Sequence, residues 1–308
     1  MKAISTALLA LGISLSAATD ATARLNIFTC EPEWAALARE LDPDAVIFSA
    51  THAGQDPHAV EARPALISAL RRADLAICTG ASLETGWLAL LQQRSGNARV
   101  TPGAAGMFFA SDGISLLEDA HHHSARDKGH VHAQGNPHFH LDPNLLPAVA
   151  RRLAKKLGEL APERTSFYQQ RLLSWESSWS AHIQRWQQAA KPLFGQAVIG
   201  EHSTFAYLFR WLEMVQIADL EPVPGVPPTA PHLQRLLQQA RSDPPMAIIQ
   251  ARYQSPQAGR WLAEKLQIPL LTLPSTTADE IGAGRLHSLF DYLVTTLVEQ
   301  LPPQAPRR

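Results

Sequence analysis

Histidine is the residue type in this sequence whose side chain offers the most chemistry. The chain of 308 residues has 13 histidines, and one short polar stretch holds five of them. These five are His121, His122, His123, His130 and His132. Neutral imidazole is the commonest metal ligand among protein side chains, and it titrates near neutral pH. The sequence therefore indicates metal binding as the first chemistry to consider.

Four further side chains that could bind a metal lie on predicted loops. His58 comes after the predicted strand Ala45–Ala50, and His202 after Ala197–Gly200. Asp279 comes after Leu270–Leu273, and His138 lies where the first half of the chain ends. Ligand crevices in open α/β sheets form at the carboxyl ends of strands, so we expect these side chains to meet in one cleft. Three nitrogens and one oxygen suit Zn²⁺ and also accommodate Mn²⁺ or Fe²⁺.

Other common chemistries find little support in the sequence. It has no phosphate-binding G-x-x-x-x-G-K-[ST] motif, no G-x-S-x-G elbow and no H-E-x-x-H helix, which argues against the commonest nucleotide-dependent enzymes, serine hydrolases and zinc proteases. The 27 Lys and Arg nearly balance the 28 Asp and Glu. A net charge of −1 creates no field that would attract nucleic acid, so no nucleic-acid partner is expected.

The N-terminus predicts export. Lys2 precedes an apolar run at 7–13, and Ala21-Thr22-Ala23 has the small residues of a cleavage site. We interpret 1–23 as a cleavable signal peptide, because the apolar run is much shorter than the roughly 20 residues that a membrane anchor needs. No lipobox cysteine stands at the expected cut. The predicted product is therefore periplasmic and carries no lipid anchor.

Two cysteines remain in the exported chain. Cys30 and Cys78 each end a predicted strand. An oxidising compartment permits a disulfide, and neighbouring parallel strands bring such residues within bridging distance. We favour a disulfide, with two free buried thiols or a pair of soft metal ligands as the alternatives.

The order of predicted elements indicates an α/β fold with two lobes. Short strands alternate with helices in both halves, which predicts a small parallel sheet flanked by helices in each lobe. Among these strands we include a brief one at Arg99–Thr101. A long, rigid helix over about Glu163–Ala190 is expected to join the lobes, with the metal site in the cleft between them. Its stripe of apolar side chains is interpreted as core: Leu172, Trp175, Trp179, Ile183 and Trp186.

The predicted boundaries follow this order of elements. An N-terminal lobe covers 24–150 and includes the histidine-rich loop at 119–135. A helical connector covers 151–195, and a C-terminal lobe covers 196–308.

Four motifs, in register along the whole predicted mature chain, resemble a known family. They are Asp56-Pro57-His58-Ala59-Val60-Glu61-Ala62-Arg63-Pro64 followed by the stretch 72–84, Asn136-Pro137-His138 with Leu141-Asp142-Pro143, His202-Ser203-Thr204-Phe205-Ala206-Tyr207, and Asp279-Glu280-Ile281-Gly282. The chain resembles the metal-binding periplasmic receptors of ABC transporters that serve zinc or manganese uptake.

The resemblance implies a binding protein and not an enzyme. It implies His58, His138, His202 and Asp279 as metal ligands, and the permease of an ABC transporter as partner. The histidine-rich loop resembles that of zinc receptors, so Zn²⁺ is expected before Mn²⁺, with the loop as an accessory metal site. We expect a monomer, and a periplasmic metallochaperone is a further candidate partner.

One departure from the family pattern adds a candidate ligand. His140 stands where the family usually has an aromatic residue. If 138–140 is extended, His138 and His140 point to the same side, so His140 could replace or supplement a ligand.

Two other classes of function stay open at the level of sequence. One is an exported zinc-dependent hydrolase with Glu201 or Glu280 as general base. The other is a periplasmic metal buffer or adhesin without a transporter.

Overall fold

The computed structural model describes residues 24–118, 134–222 and 226–301. The predicted signal peptide at 1–23 lies outside the described residues, and so do the five histidines of the loop at 121–132.

Two parallel sheets of four strands each organise the described chain, as the sequence predicted. The first sheet has the strand order β2-β1-β3-β4 and the second the order β6-β5-β7-β8. The strands are β1 (Asn26–Thr29), β2 (Val46–Ser49), β3 (Leu75–Cys78), β4 (Met107–Phe109), β5 (Ala197–Gly200), β6 (Val215–Asp219), β7 (Ala247–Ala251) and β8 (Leu270–Leu273). Each lobe repeats the same order, so β1 and β5 both lie beside the point where the chain reverses direction across its sheet. Ligand crevices form at such points.

Helices flank both sheets. They are α1 (Pro32–Leu41), α2 (Pro64–Arg72), α3 (Leu88–Ser95), α4 (Leu146–Leu160), α5 (Thr165–Ala190), α6 (Ala206–Trp211), α7 (Ala230–Ser242), α8 (Gln257–Leu266) and α9 (Leu286–Gln300). Proline begins α1 and α2, where its missing N–H costs no hydrogen bond and its fixed φ suits a first turn. Across the described ranges, no helix is both long enough and apolar enough to cross a lipid bilayer.

Helix α5 connects the two lobes through a tryptophan core. Its 26 residues correspond to about 39 Å of helix. Trp175 stacks on Trp179 with 5.0 Å between ring centroids, and Trp186 stacks on Phe290 of α9 at 5.0 Å. The indole N–H of Trp179 donates to the carbonyl of Pro143 at 2.9 Å. One continuous apolar core thus runs from the first lobe along α5 to the second, and the prediction of a core stripe is confirmed.

Two details of the secondary structure differ from the sequence prediction. Arg99–Thr101 is not a strand, since Ala98–Val100 forms a single 3₁₀ turn and the fourth strand is β4. The turn residues 101–106 separate the two, and the apolar residues Met107 and Phe108 supply the buried strand instead. Strand β6 was not predicted, because it lies at the sheet edge with its side chains exposed or half-buried and so lacks a continuous apolar run.

The two cysteines form a disulfide, as expected. Cys30 follows β1 and Cys78 ends β3, the neighbouring parallel strand, and their Cα atoms are 4.8 Å apart. Both side chains are completely buried. The alternatives of free thiols and of thiol metal ligands are therefore excluded for this oxidised structure.

A pair of buried carboxyl groups lies next to the disulfide. Burial raises the pKa of Glu84 to about 7, although backbone N–H groups of Thr79 and Gly80 donate to it. Burial and the charge of Glu84 raise the pKa of Glu31 well above its ordinary value. The folded state therefore holds protons at this pair that the unfolded chain would release.

The raised pKa of Glu84 predicts how the free energy of unfolding changes with pH. The pKa of Glu84 is raised from 4.5 to about 7 on folding, so its stabilising contribution is complete below about pH 4.5 and declines as pH rises through 7. We expect Glu84→Gln to remove this part of the pH dependence, because the amide stays neutral and its oxygen still accepts from Thr79 and Gly80. Urea unfolding of both proteins at several pH values between about 4.5 and 8 measures the difference. A variant whose unfolding free energy keeps the same slope with pH as the wild type would contradict the assignment.

Candidate metal centre

Three histidines from distant parts of the chain form one cluster. Donor atoms of His58, His138 and His202 all lie within 4.8 Å of one another. Ring centroids are 5.5 Å apart for His58 and His138, 6.1 Å for His58 and His202, and 5.9 Å for His138 and His202. The residues are only 9%, 2% and 6% exposed, in chain order. Such a group of nearly buried imidazoles is an arrangement that a transition-metal ion would stabilise.

His58 is held by the loop that follows β2. Its ring Nδ1 lies 2.7 Å from Oδ1 of Asp56, and its backbone N–H donates to the same oxygen at 2.9 Å. The indole N–H of Trp87 donates to the carbonyl of Pro57 at 3.0 Å. Asp56 thereby fixes both the loop and the ring of the histidine.

His138 is held by a hydrogen-bond network that reaches the second half of the chain. Its backbone N–H donates to the side-chain oxygen of Asn136 at 2.9 Å. The amide of Asn136 donates to the carbonyl of Ser203 at 2.8 Å, and the hydroxyl of Tyr207 donates to the carbonyl of Asn136 at 3.0 Å. The position of His138 is therefore tied to the segment that directly follows His202.

His202 is positioned by the central strand of the second sheet. Glu201 continues the parallel ladder beyond β5, since its N–H donates to the carbonyl of Ile249 at 3.0 Å. On the ring, Nδ1 lies 3.3 Å from Oε2 of Glu221. The segment after β6 lies beside the end of β5, because the backbone N–H of Glu221 donates to the carbonyl of Glu201 at 3.0 Å.

Carboxylates lie beside two of the three histidine rings. A ring whose Nδ1–H donates to a carboxylate keeps the lone pair on Nε2 and is a better electron donor. Asp56 is placed to act in this way on His58. Oε2 of Glu221 lies 3.3 Å from Nδ1 of His202 without hydrogen-bond geometry, so its effect on that ring is electrostatic. Neither Asp56 nor Glu221 was predicted from the sequence to have a role. Asp56 had a local signal, two residues before a candidate ligand, but Glu221 comes into place only through the fold.

Glu201 is a buried carboxyl group next to the cluster. Burial and the charge of Glu221 raise its pKa to about 7, while His202 lowers it. The residue is 5% exposed. A divalent cation bound by the histidines would favour the ionised form of this group, so metal binding and the charge of Glu201 are coupled.

Asp279 is not placed with the three histidines. It is exposed and lines a separate groove with Ser49, Thr51 and His52. Among the described residues, the group of mutually close donor atoms that includes His58 consists of His58, His138 and His202. The role of Asp279 as fourth ligand stays a prediction that requires a different arrangement of its loop.

His140 lies close to the cluster but is bonded elsewhere. The expectation of an extended 138–140 segment is wrong, because Phe139–Leu141 forms a 3₁₀ turn. Nε2 of His140 lies 2.7 Å from the carbonyl oxygen of Ser275, and Nδ1 lies 3.4 Å from Glu33. Its ring is 6.3 Å from that of His138. In this structure His140 connects the loop after β8 to the first lobe, and its accessory metal role stays a prediction.

A family model and a curated relative match the chain. The model described as ZnuA, zinc-uptake complex component A, periplasmic, matches residues 27–300. A high-affinity zinc uptake system protein ZnuA from Yersinia pestis is 23% identical over 194 residues, which are 59% of this chain and 61% of that protein. The chain thus spans about three-fifths of the length of this relative.

Solved structures share the fold over nearly the whole chain. A crystal structure of ZnuA superposes with a TM-score of 0.76 at 22% identity, covering 91% of this chain and 100% of that chain. A zinc-bound deletion mutant of ZnuA gives 0.75 at 22% identity, over 92% and 100%. A cadmium-bound periplasmic metal binding protein from Candidatus Liberibacter asiaticus gives 0.72 at 16% identity, over 90% and 99%. At these identities the likeness establishes the two-lobed fold.

Proposed function

The chain belongs to the family of periplasmic component A of zinc-uptake complexes, and from this premise we propose that it captures a divalent transition metal, Zn²⁺ before others, and delivers it to the permease of an ABC transporter. The observation that carries the proposal is the cluster of His58, His138 and His202, whose donor atoms lie within 4.8 Å of one another. In this proposal the three histidines are the metal ligands.

The donor set supports zinc over manganese. Imidazole nitrogen suits Zn²⁺, whereas Mn²⁺ prefers carboxylate and water oxygens. The cluster consists of imidazoles, and the exposed carboxylate of Asp279 lies in another groove. Asp279 as a fourth, anionic ligand would shift the metal preference towards Mn²⁺ or Fe²⁺. If the histidines alone hold the ion, Asp279→Asn should leave zinc binding intact.

Membership of the family supports a proposal about delivery and location. We propose that the signal peptide at 1–23 directs the protein to the periplasm, that the protein acts as a monomer, and that docking on the permease separates the ligand loops to release the ion. The histidine-rich loop at 119–135 would raise the local metal concentration, and a metallochaperone could supply the ion. Deleting 121–132 should then slow metal transfer without removing the tight site.

A metal competition titration tests the proposal. Residues 24–308 are purified without metal, offered Zn²⁺ and Mn²⁺ together, and the bound ions are counted. We expect one tightly bound Zn²⁺ per chain. Preference for Mn²⁺ would reassign the transported metal, and failure to bind either ion tightly would contradict the proposed receptor function.

A zinc-dependent hydrolase is the second candidate, and one observation favours it. The Glu201 carboxyl, with its pKa raised to about 7 by burial, could act as a general base beside the histidines. The other candidate base, Glu280, is exposed and paired with Arg252 at 2.7 Å. We expect the zinc-loaded protein to show no turnover of ester, amide or phosphate substrates, and turnover that Glu201→Gln abolishes would favour the hydrolase.

A further inference from the structure

A cavity much larger than an ion adjoins the histidine cluster. It has a volume of about 590 Å³ and is lined at one end by His58 and His202. A single water molecule needs only about 15 Å³ on this measure, whereas sites for small organic ligands measure roughly 300–1,000 Å³. The space beside the proposed metal ligands therefore has the size of an organic ligand site.

The walls of this cavity have an acidic part, an apolar part and three neutral polar side chains, Gln254, Ser255 and Gln257. Its acidic side chains are Asp56, Glu201 and Glu221. The apolar and aromatic part is formed by Pro227, Pro228, Leu233, Tyr253, Ala258 and Trp261. None of the described residues that line the cavity is Lys or Arg. Such a cavity favours a ligand of net positive charge that also carries an apolar or aromatic portion.

The coordination chemistry of the cluster points to the same class of ligand. Three neutral imidazoles leave at least one position open on a tetrahedral Zn²⁺, which can expand to five ligands. Since Asp279 lies in a separate groove, a group from outside the chain can take the open positions. An amino-acid chelate fits, because its amine and its carboxylate both bind the metal, so that no free carboxylate faces the acidic wall and the complex has a charge of +1.

We propose that this cavity binds the metal as a complex with a small amine- and carboxylate-bearing chelator, such as an amino acid. This inference rests on the proposed function, since it needs zinc on the histidines. The ion sits on the three imidazoles, the chelator's amine gives its proton to solvent and binds the ion, and the organic part lies against Tyr253 and Trp261. The acidic wall attracts the cationic complex more strongly than it would the free amino acid, which is neutral overall.

The test uses radiolabelled L-histidine as the chelator. Metal-free protein is mixed with Zn²⁺ and the labelled amino acid and rapidly desalted, and zinc and label are counted in the same protein fraction. We expect about one histidine per bound zinc, and none when zinc is omitted.

A larger side chain at Gln257 would fill part of the cavity, because Gln257 is exposed at the start of α8 and belongs to the cavity lining. Gln257→Trp should lower the retained histidine by at least about tenfold while zinc stays bound.

Glu264→Trp is the matched control. Glu264 is exposed on the same helix and does not belong to the cavity lining, so this variant should retain histidine like the wild type. Ala258→Phe fills the cavity from a second position and covers the case in which Gln257→Trp does not fold. If the wild type, mixed with both Zn²⁺ and labelled histidine, retains zinc but no label, this inference is overturned and the receptor function stands. Histidine retained without zinc would also overturn it, and loss of zinc binding itself would contradict both proposals.

Discussion

Replacing His138 with alanine is expected to weaken Zn²⁺ binding by more than about 100-fold, since losing only a supporting partner of a metal ligand typically costs about 10- to 100-fold. His138 is 2% exposed, and its ring lies within 6 Å of both other rings, at 5.5 and 5.9 Å. The same substitution at His58 or His202 should have an effect of similar size. Competition against a zinc chelator of known affinity measures the change.

The controls for this experiment come from histidines outside the cluster. His52→Ala removes an exposed histidine of the same lobe, and we expect its zinc affinity to match that of the wild type. His140→Ala separates the two interpretations of His140, because a positioning role between Glu33 and Ser275 predicts one bound zinc with a modest loss of affinity. If His138→Ala binds zinc as tightly as the wild type does, the cluster is not the metal site.

Removing the disulfide is the second change with a large expected effect. Cys30 and Cys78 are separated by 48 positions, and closing a loop of that size in the unfolded chain corresponds to about 4 kcal/mol of stability in the chain-entropy model. We expect the double variant Cys30→Ala, Cys78→Ala to lose an amount of this order in the free energy of unfolding. Guanidinium denaturation of the metal-free proteins measures it.

Reduction provides the matched control for the double variant. Adding a phosphine reductant should lower the stability of the wild type towards that of the double variant, which itself should not respond. One bound zinc should remain in the double variant, because neither cysteine belongs to the histidine cluster. Equal stability of the two proteins under oxidising conditions would contradict a stabilising role for this bond.

The secondary structure was largely predictable because it depends on local pattern. Strands such as β3 and β5 are buried throughout and appear in the sequence as continuous apolar runs, and prolines mark the starts of α1 and α2. The edge strand β6 was missed because its half-exposed side chains give no such run. The turn at Ala98–Val100 was mistaken for a strand because three residues are too few to show a period.

The candidate ligands and their loops were also accessible from the sequence. His58 and His202 follow strands of parallel sheets, and the edge formed by the carboxyl ends of such strands is where ligands bind. The disulfide followed from the same argument, since β1 and β3 are neighbours in the sheet. These inferences needed only chain order and the geometry of a parallel sheet.

What the sequence determined by itself is therefore the set of elements, the fold class and the candidate donors; the tertiary structure decided which donors meet. The three histidines lie in both halves of the chain, and the packing of α5 against α4 and α9 sets where the halves stand. Such packing decides that Glu221 lies beside His202 while Asp279 lines another groove. Because one metal ion can be bound only by side chains within a few ångströms of one another, the relative position of the two lobes decides which donors could share an ion, and no local sequence pattern encodes that position.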